Sequence, residues 1–196
     1  FRCFSEQLVE RLNAAPGIAG AALNSAESLR LSRNPRIEIE GAVYPRPNDR
    51  PGCTMETVSN DFFAGLGVGL LSGRMLAAAD HATAPPVAVV NAVFATRFGA
   101  ERDVVGRRFR IAGNSEAPSP WITVVGVVPD LGSMKAGEAS RGPVIYRPVA
   151  QADDRAMTIL VRAQGDVARF AATIRREVAA LDPELPVAKL QTVQEI

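Results

Sequence analysis

The stretch from Met157 to Leu190 leaves the fewest options open for the fold. Met157 to Val161 reads as a strand. Gly165-Asp166 then starts a helix whose apolar residues Val167, Phe170, Ala171, Ile174, Val178 and Leu181 recur at close to ideal amphipathic spacing. Asp182-Pro183 closes that helix, and Val187 to Leu190 is expected to lead into a final strand. Strand, helix and strand in that order make a crossover unit, right-handed where the strands are parallel. A chain containing such a unit must build a layer of helix on sheet.

The opposite end of the chain echoes this unit. Phe4, Leu8 and Leu12 make one apolar stripe on a helix from about Phe4 to Ala14, Pro16-Gly17 stops it, and Ile18 to Leu23 reads as a buried strand. The helix, proline and strand of Leu8 to Leu23 thus match the order seen from Ile174 to Leu190. The echo predicts that the two ends pack together as one α+β layer with the middle inserted between them.

The middle is a series of short elements. Arg36-Ile37-Glu38-Ile39-Glu40 alternates polar and apolar, as a half-exposed strand does, and Gly41 ends it. Residues 44–52 carry three prolines, Asn48-Asp49 and Gly52, which is loop chemistry. A strand is expected near Thr54 to Val58, with Ser59-Asn60-Asp61 capping a short turn containing Phe62, Phe63 and Leu66. Pro86 to Val90 is a buried strand, and Asn91 caps a helix running to about Phe98. Arg107 to Ile111, Trp121 to Val128 and Val144 to Tyr146 complete the strands, and Met134 to Gly142 is Gly/Ser-rich loop.

The charge balance, 22 basic against 21 acidic residues, argues against general nucleic-acid binding, which needs clustered and uncompensated Lys/Arg. The tightest basic pairs, Arg107-Arg108 and Arg175-Arg176, are expected in water on a strand edge and a helix face. No run approaches the roughly 20 apolar residues of a membrane-spanning helix. The chain opens without Met, directly into an amphipathic pattern, and stops mid-pattern, so it reads as a piece of something longer. Cys3 and Cys53 are too few for a disulfide framework; one bridge or two buried thiols both remain open.

A search for chemistry finds none. The one histidine, His81, sits in the loop Ala79-Asp80-His81-Ala82, and chain neighbours such as Asp80 and His81 point apart more often than together. No three or four His, Cys or carboxylate ligands stand at zinc spacing, and no Gly-x-Ser-x-Gly elbow is present. Asp153-Asp154 reads as a solvated turn. Gly65-Leu-Gly67-Val-Gly69 with Gly73 invites a dinucleotide reading, but the strand, helix and acidic residue of that fingerprint are out of place, so a turn-and-strand reading is preferred. Trp121, opening a strand, reads as core or rim. Accordingly no catalytic, cofactor-binding or metal-ligating residue is expected.

An ordered set of short segments then carries a resemblance. It runs Leu12-Asn-Ala-Ala-Pro16-Gly17-Ile18, Val58-Ser-Asn-Asp61-Phe62-Phe63, Gly65-Leu66-Gly67-Val68 and Leu70-Leu71-Ser-Gly73-Arg74 with Asp80. It continues through Val87-Ala-Val-Val90-Asn91, Phe94-Ala95-Thr-Arg97-Phe98, Val105-Gly106-Arg107 and Val124-Val125-Gly126-Val127-Val128-Pro-Asp130. Val144-Ile-Tyr146-Arg-Pro148 and Leu181-Asp-Pro183-Glu-Leu-Pro186-Val187 end it. Together these resemble the periplasmic core domain of MacB/FtsX-type ABC-transporter permeases. Ala92 is a departure, since the family often has Glu after the Asn.

The resemblance implies an extracytoplasmic, non-catalytic domain held by flanking membrane helices, with two subdomains. A porter-like layer of residues 1–42 and 155–196 would carry an inserted Sabre-like lobe of residues 43–154. It implies an ATP-binding subunit or domain as partner through the membrane helices, and a periplasmic adaptor or substrate protein engaged by loops, with 44–52 and 132–143 as candidates. No nucleic acid is expected, and self-association of the isolated domain is expected to be weak. The competing reading is the extracellular ligand-binding domain of a membrane receptor, which an enclosed pocket with convergent polar groups would favour. The permease reading also requires the two terminal helices to share one sheet face, with Phe1 and Ile196 at the same end.

Overall fold

The computed structural model describes residues 2–25, 35–99, 103–112, 119–131, 142–152, 157–163, 167–185, 187 and 190. The elements are α1 (Arg2–Ala14), β1 (Ile18–Ser25), β2 (Ile37–Ile39), β3 (Thr54–Val58), α2 (Phe62–Leu66), β4 (Ser72–Gly73), β5 (Val87–Asn91), α3 (Ala92–Phe98), β6 (Arg108–Ile111), β7 (Ile122–Val128), β8 (Val144–Pro148), β9 (Met157–Ala163) and α4 (Val167–Leu181). Single 3₁₀ turns at Pro47–Asp49 and Val149–Gln151 punctuate the connections. The described strands form one mixed sheet in the order β2-β6-β7-β5-β8-β3-β1-β9, with β4 attached to β7. The fold class is mixed α and β, as the alternating periodicities predict.

The two chain ends meet in one layer. β1 and β9 pair antiparallel along their whole length. On one face, Leu8, Val9 and Leu12 of α1 and Val178 of α4 pack with Ala21, Leu23, Ile159 and Val161. Arg11 of α1 donates to Glu177 of α4 at 3.0 Å, tying the helices together at the rim. Both terminal helices therefore share one face of the sheet; Phe1 and Ile196 lie outside the described residues. Asn13, at the end of α1, gives and takes a hydrogen bond with the Ala21 backbone, so its amide acts as a stand-in strand neighbour for β1.

The opposite face of the same strands holds the second cluster. Phe62 and Phe63 of α2 pack edge to face at 5.3 Å, and Phe63 meets Tyr146 the same way at 5.1 Å. Ala22, Val87, Val89 and Val144 close around them. A third cluster, on the face of the two terminal helices, sets Phe94 of α3 against Phe109, Val90, Ile122 and Ile145. β5 serves both faces by strict alternation: Val87 and Val89 turn one way, Ala88 and Val90 the other. Each fully buried aromatic or aliphatic side chain contributes on the order of 1.5–3 kcal/mol of hydrophobic stabilisation.

One expectation needs correction. Asp61 makes no capping hydrogen bond to α2; Ser59 Oγ instead accepts from the Leu23 N–H at 3.0 Å, so this polar run ties β1 to β3. β2, grouped with the chain ends by sequence position, pairs with β6 at the far edge of the sheet. Only Val187 and Leu190 of the expected last strand are described, neither in a strand, so the crossover pairing lies outside the described residues.

Candidate interaction surface

β2 is an edge strand, and edges left bare recruit other chains. Here the outward N–H groups are already taken. Ile37 donates to the Pro51 carbonyl at 2.9 Å and Ile39 to the Tyr44 hydroxyl oxygen at 3.2 Å. The loop that follows β2 thus folds back over its edge, and the Arg36 guanidinium holds it there through the carbonyls of Asn48 (2.8 Å) and Arg50 (2.6 Å). Asp49 accepts from the Arg46 N–H at 3.0 Å and closes the 3₁₀ turn. The proline-rich segment 44–52 is therefore a built loop, and Val43, just before it, is 87% exposed.

Charge pairing stiffens the sheet face beside this loop. Glu38 accepts from Arg50 at 2.6 Å and from Arg110 at 2.5 Å, and Glu40 pairs with Arg108. The arginine hydrogen bonds, Arg110 first, hold the Glu38 carboxyl below its ordinary range, and Arg108 does the same for Glu40. Arg110 and Arg108 lie over the Trp121 ring at 4.8 and 5.9 Å from its centroid. Trp121 is thus rim, an arginine-stacked platform. Alternating Glu38/Glu40 opposite Arg108/Arg110 is a cross-strand pattern that the sequence carries but that only the β2–β6 register reveals.

The residues weighed for chemistry stand apart. His81 is exposed, its Nδ1 3.1 Å from Thr83 Oγ1. Asp80 is gripped by Arg74 through two hydrogen bonds of 2.8 Å, with a third from the Ala77 N–H at 2.9 Å. Arg74, foremost, keeps the Asp80 carboxyl below the usual range against the opposing effect of burial. Cys53 is a free thiol in the core, and burial pushes its pKa up to about 12. A thiol so raised is not a nucleophile near neutral pH. The side chain of Cys3 lies outside the described residues.

Among the described residues no three His, Cys, Asp or Glu side chains gather at metal-binding distance. Gly65 falls in the last turn of α2 and Gly67 just beyond it at φ 72°, where its N–H returns to Ala64 and Phe63. These glycines end a helix; they do not open one, as a dinucleotide loop would. Of the basic pairs, Arg175-Arg176 are exposed, as is Arg108, but Arg107 bends inward and donates to the Phe98 carbonyl at 2.6 Å, closing the C-terminus of α3. An apolar hollow lined by Ile39, Phe94, Phe98, Val104, Phe109 and Val124 with Arg107 and Arg108 lies among the described residues. Segment 132–141 of the second candidate loop lies outside the described residues; its flanks, Asp130 and Gly142, are both bonded by Asn91 Nδ2, at 3.2 and 3.0 Å.

Comparison with known proteins adds the following. The family model of the MacB-like periplasmic core domain matches residues 4–177. No curated protein matches the chain. Among solved structures, the periplasmic region of MacB from Actinobacillus actinomycetemcomitans superposes with a TM-score of 0.60 at 14% identity, over 90% of this chain and 73% of that one. A domain of a permease protein described as putative, from Porphyromonas gingivalis, gives 0.55 at 17% identity, over 89% and 68%. The extracellular domain of the noncanonic ABC-type transporter YknZ from Gram-positive bacteria gives 0.56 at 13% identity, over 90% and 80%. At these identities the structures establish the shared fold.

Proposed function

This chain belongs to the family of MacB-like periplasmic core domains, and from that premise we propose that it carries ATP-driven motion across a membrane to a partner outside the cell's inner membrane. It is the extracytoplasmic domain of a MacB-like ABC-transporter permease, a setting that implies an ATPase as partner. None of the described helices is long and apolar enough to cross a membrane. The observation that carries the proposal is the family match over residues 4–177 on a domain whose Asp80 carboxylate is held by Arg74 and whose Cys53 thiol is buried in the core. A transmitter needs stiff, packed elements and no nucleophile. α1 and α4, bound to each other and to one strand pair, supply such elements.

The division into two parts belongs to the same reading: a porter-like part from the chain ends and an inserted Sabre-like part from the middle. In this reading residues 1–42 and 155–196 make the porter-like part, and the pairing of β2 with β6 favours counting residues 37–42 with the inserted part. The built loop 44–52, with Val43 at its root, is the surface offered to an adaptor or substrate protein. Self-association is weak in this reading. The exposed large apolar side chains among the described residues, Val43, Leu70, Leu71 and Leu190, are scattered in sequence over separate loops. Close placement of two copies by the membrane helices would populate even a weak contact.

The deciding experiment uses the permease reconstituted with its ATPase, spin-labelled at Arg175→Cys on α4 in both copies. The distance between labels is expected to change between ATP-bound and ADP-bound states. A distance indifferent to nucleotide, together with saturable binding of one small ligand per domain, would overturn the proposal in favour of a sensor. Sedimentation of the isolated domain at micromolar concentration should give monomer; a tight dimer contradicts the account.

A further inference from the structure

Among the described strands β2 ends the ladder on one side, yet its outer edge is occupied. Pro51 to Cys53 runs antiparallel beside it. Arg36 and Gly52 form a bridge, the Ile37 N–H donates to the Pro51 carbonyl at 2.9 Å, and the Cys53 N–H donates to the Pro35 carbonyl at 3.1 Å. One residue further on, the Thr54 N–H donates to the Pro143 carbonyl at 2.9 Å, on the side of β8. Successive amides of an extended chain point to opposite edges. The strand that enters β3 is therefore gripped by β2 on one edge and by β8 on the other. The run β2-β6-β7-β5-β8-β3 closes on itself.

The core follows the same closure. Ile37 of β2, Phe109 of β6, Ile122 of β7, Val90 of β5, Ile145 of β8 and Met55 of β3 all pack into one apolar cluster. Strands of a closed sheet line one core in this way, and closure leaves no bare edge at the join.

Arg36 belongs to both sides of this seam. Its carbonyl accepts from the Ala112 N–H at 2.8 Å, just beyond β6, while its backbone faces Gly52. Its guanidinium crosses the seam and donates from Nη1 to the carbonyls of Asn48 at 2.8 Å and Arg50 at 2.6 Å. Bonds from a charged donor are stronger than neutral ones. The loop 44–52 is strung between β2 and the returning chain, so it keeps one position only while the seam is shut. Pro45, Arg46, Pro47, Asn48 and Asp49 are all exposed, so hydrogen bonds more than burial set the shape of its crown.

We propose that Arg36 is a positioning residue: it holds the seam shut and thereby fixes the loop 44–52 in the place from which it meets a partner. This rests on the reading of that loop given above. The Arg36 side chain is exposed, so its loss loosens the seam without emptying the core.

The test is amide hydrogen exchange followed by nuclear magnetic resonance on this chain, unaltered and as Arg36→Met. The Ile37 and Cys53 amides bond across the seam. The Val124 amide, bonded to the Arg107 carbonyl at 2.9 Å, lies away from the seam in the same closed run and serves as internal control. Arg36→Met is expected to speed exchange at Ile37 and Cys53 about tenfold and to leave Val124 unchanged. Arg36→Lys, which keeps the charge and a donor, should fall between, and it decides the matter should Arg36→Met not fold. Unchanged rates at Ile37 and Cys53 overturn the proposal. So does a rise of the same size at Val124, which marks a general loss of stability. No partner is present, so this result is separate from whether the loop 44–52 meets one.

Discussion

Arg74 and Asp80 face each other through two parallel hydrogen bonds, Nη1 to Oδ2 and Nη2 to Oδ1, both 2.8 Å. This bidentate pair fastens the loop after β4, with the Ala77 N–H completing the carboxylate's shell. Arg74→Ala should destabilise the fold by about 2 kcal/mol, because a buried carboxylate is left with one strong donor. The folded carboxyl is held below its ordinary value near 3.8. Its contribution is therefore complete above that value and is lost as pH falls through the lower folded one. Arg74→Ala should shift acid unfolding to higher pH in a circular-dichroism titration, and a midpoint that stays put would count against the pair. His81→Ala, one residue away, should change stability by no more than about 0.5 kcal/mol.

Gly20 is the tightest backbone crossing between β1 and α2. The obstacle to a methyl group there is backbone, which cannot rotate away as a side chain can. Gly20→Ala should cost about 3 kcal/mol. Gly52, whose added Cβ would meet nothing within 4 Å, is the matched control, and Gly52→Ala should be near neutral in the same denaturant titration.

Asn91 does three tasks with one amide. Its Oδ1 accepts from the Phe94 N–H at 3.0 Å, capping α3, and from the Val144 N–H at 2.9 Å, while Nδ2 ties Asp130 to Gly142. Asn91→Ala strands two buried donors and should cost about 2–4 kcal/mol. Asn91→Asp keeps the acceptor but sets a carboxylate against Asp130, so it should be destabilising at pH 7 and recover in part on acidification. Thermal melts at the two pH values check this.

Cys53 has a thiol pushed to about 12 and only 2% of its surface open. A thiol reagent at pH 8 should modify it no faster than the protein unfolds, and adding denaturant should make the reaction fast. In a Cys3→Ser background, rapid labelling of the native protein would contradict the buried placement.

Much of this could be read locally. The alternation Arg36-Ile37-Glu38-Ile39-Glu40, the stripe of α4 and the cap at Asn91 each depend on residues a few positions apart, and each becomes the expected element. The sequence also carried the ordered segments by which the family is known. Tertiary structure alone decided the pairings across long separations. β2 joins β6 and not β1, the Ser59 hydroxyl goes to β1 and does not cap α2, Arg162 reaches Gly65, and Arg74 with Asp80 forms a clamp while His81 is exposed. The reason is physical. Periodicity and capping are set by backbone geometry within a turn or two. Which distant polar groups pair is settled by what burial leaves without water, and that is known only once the layers have closed.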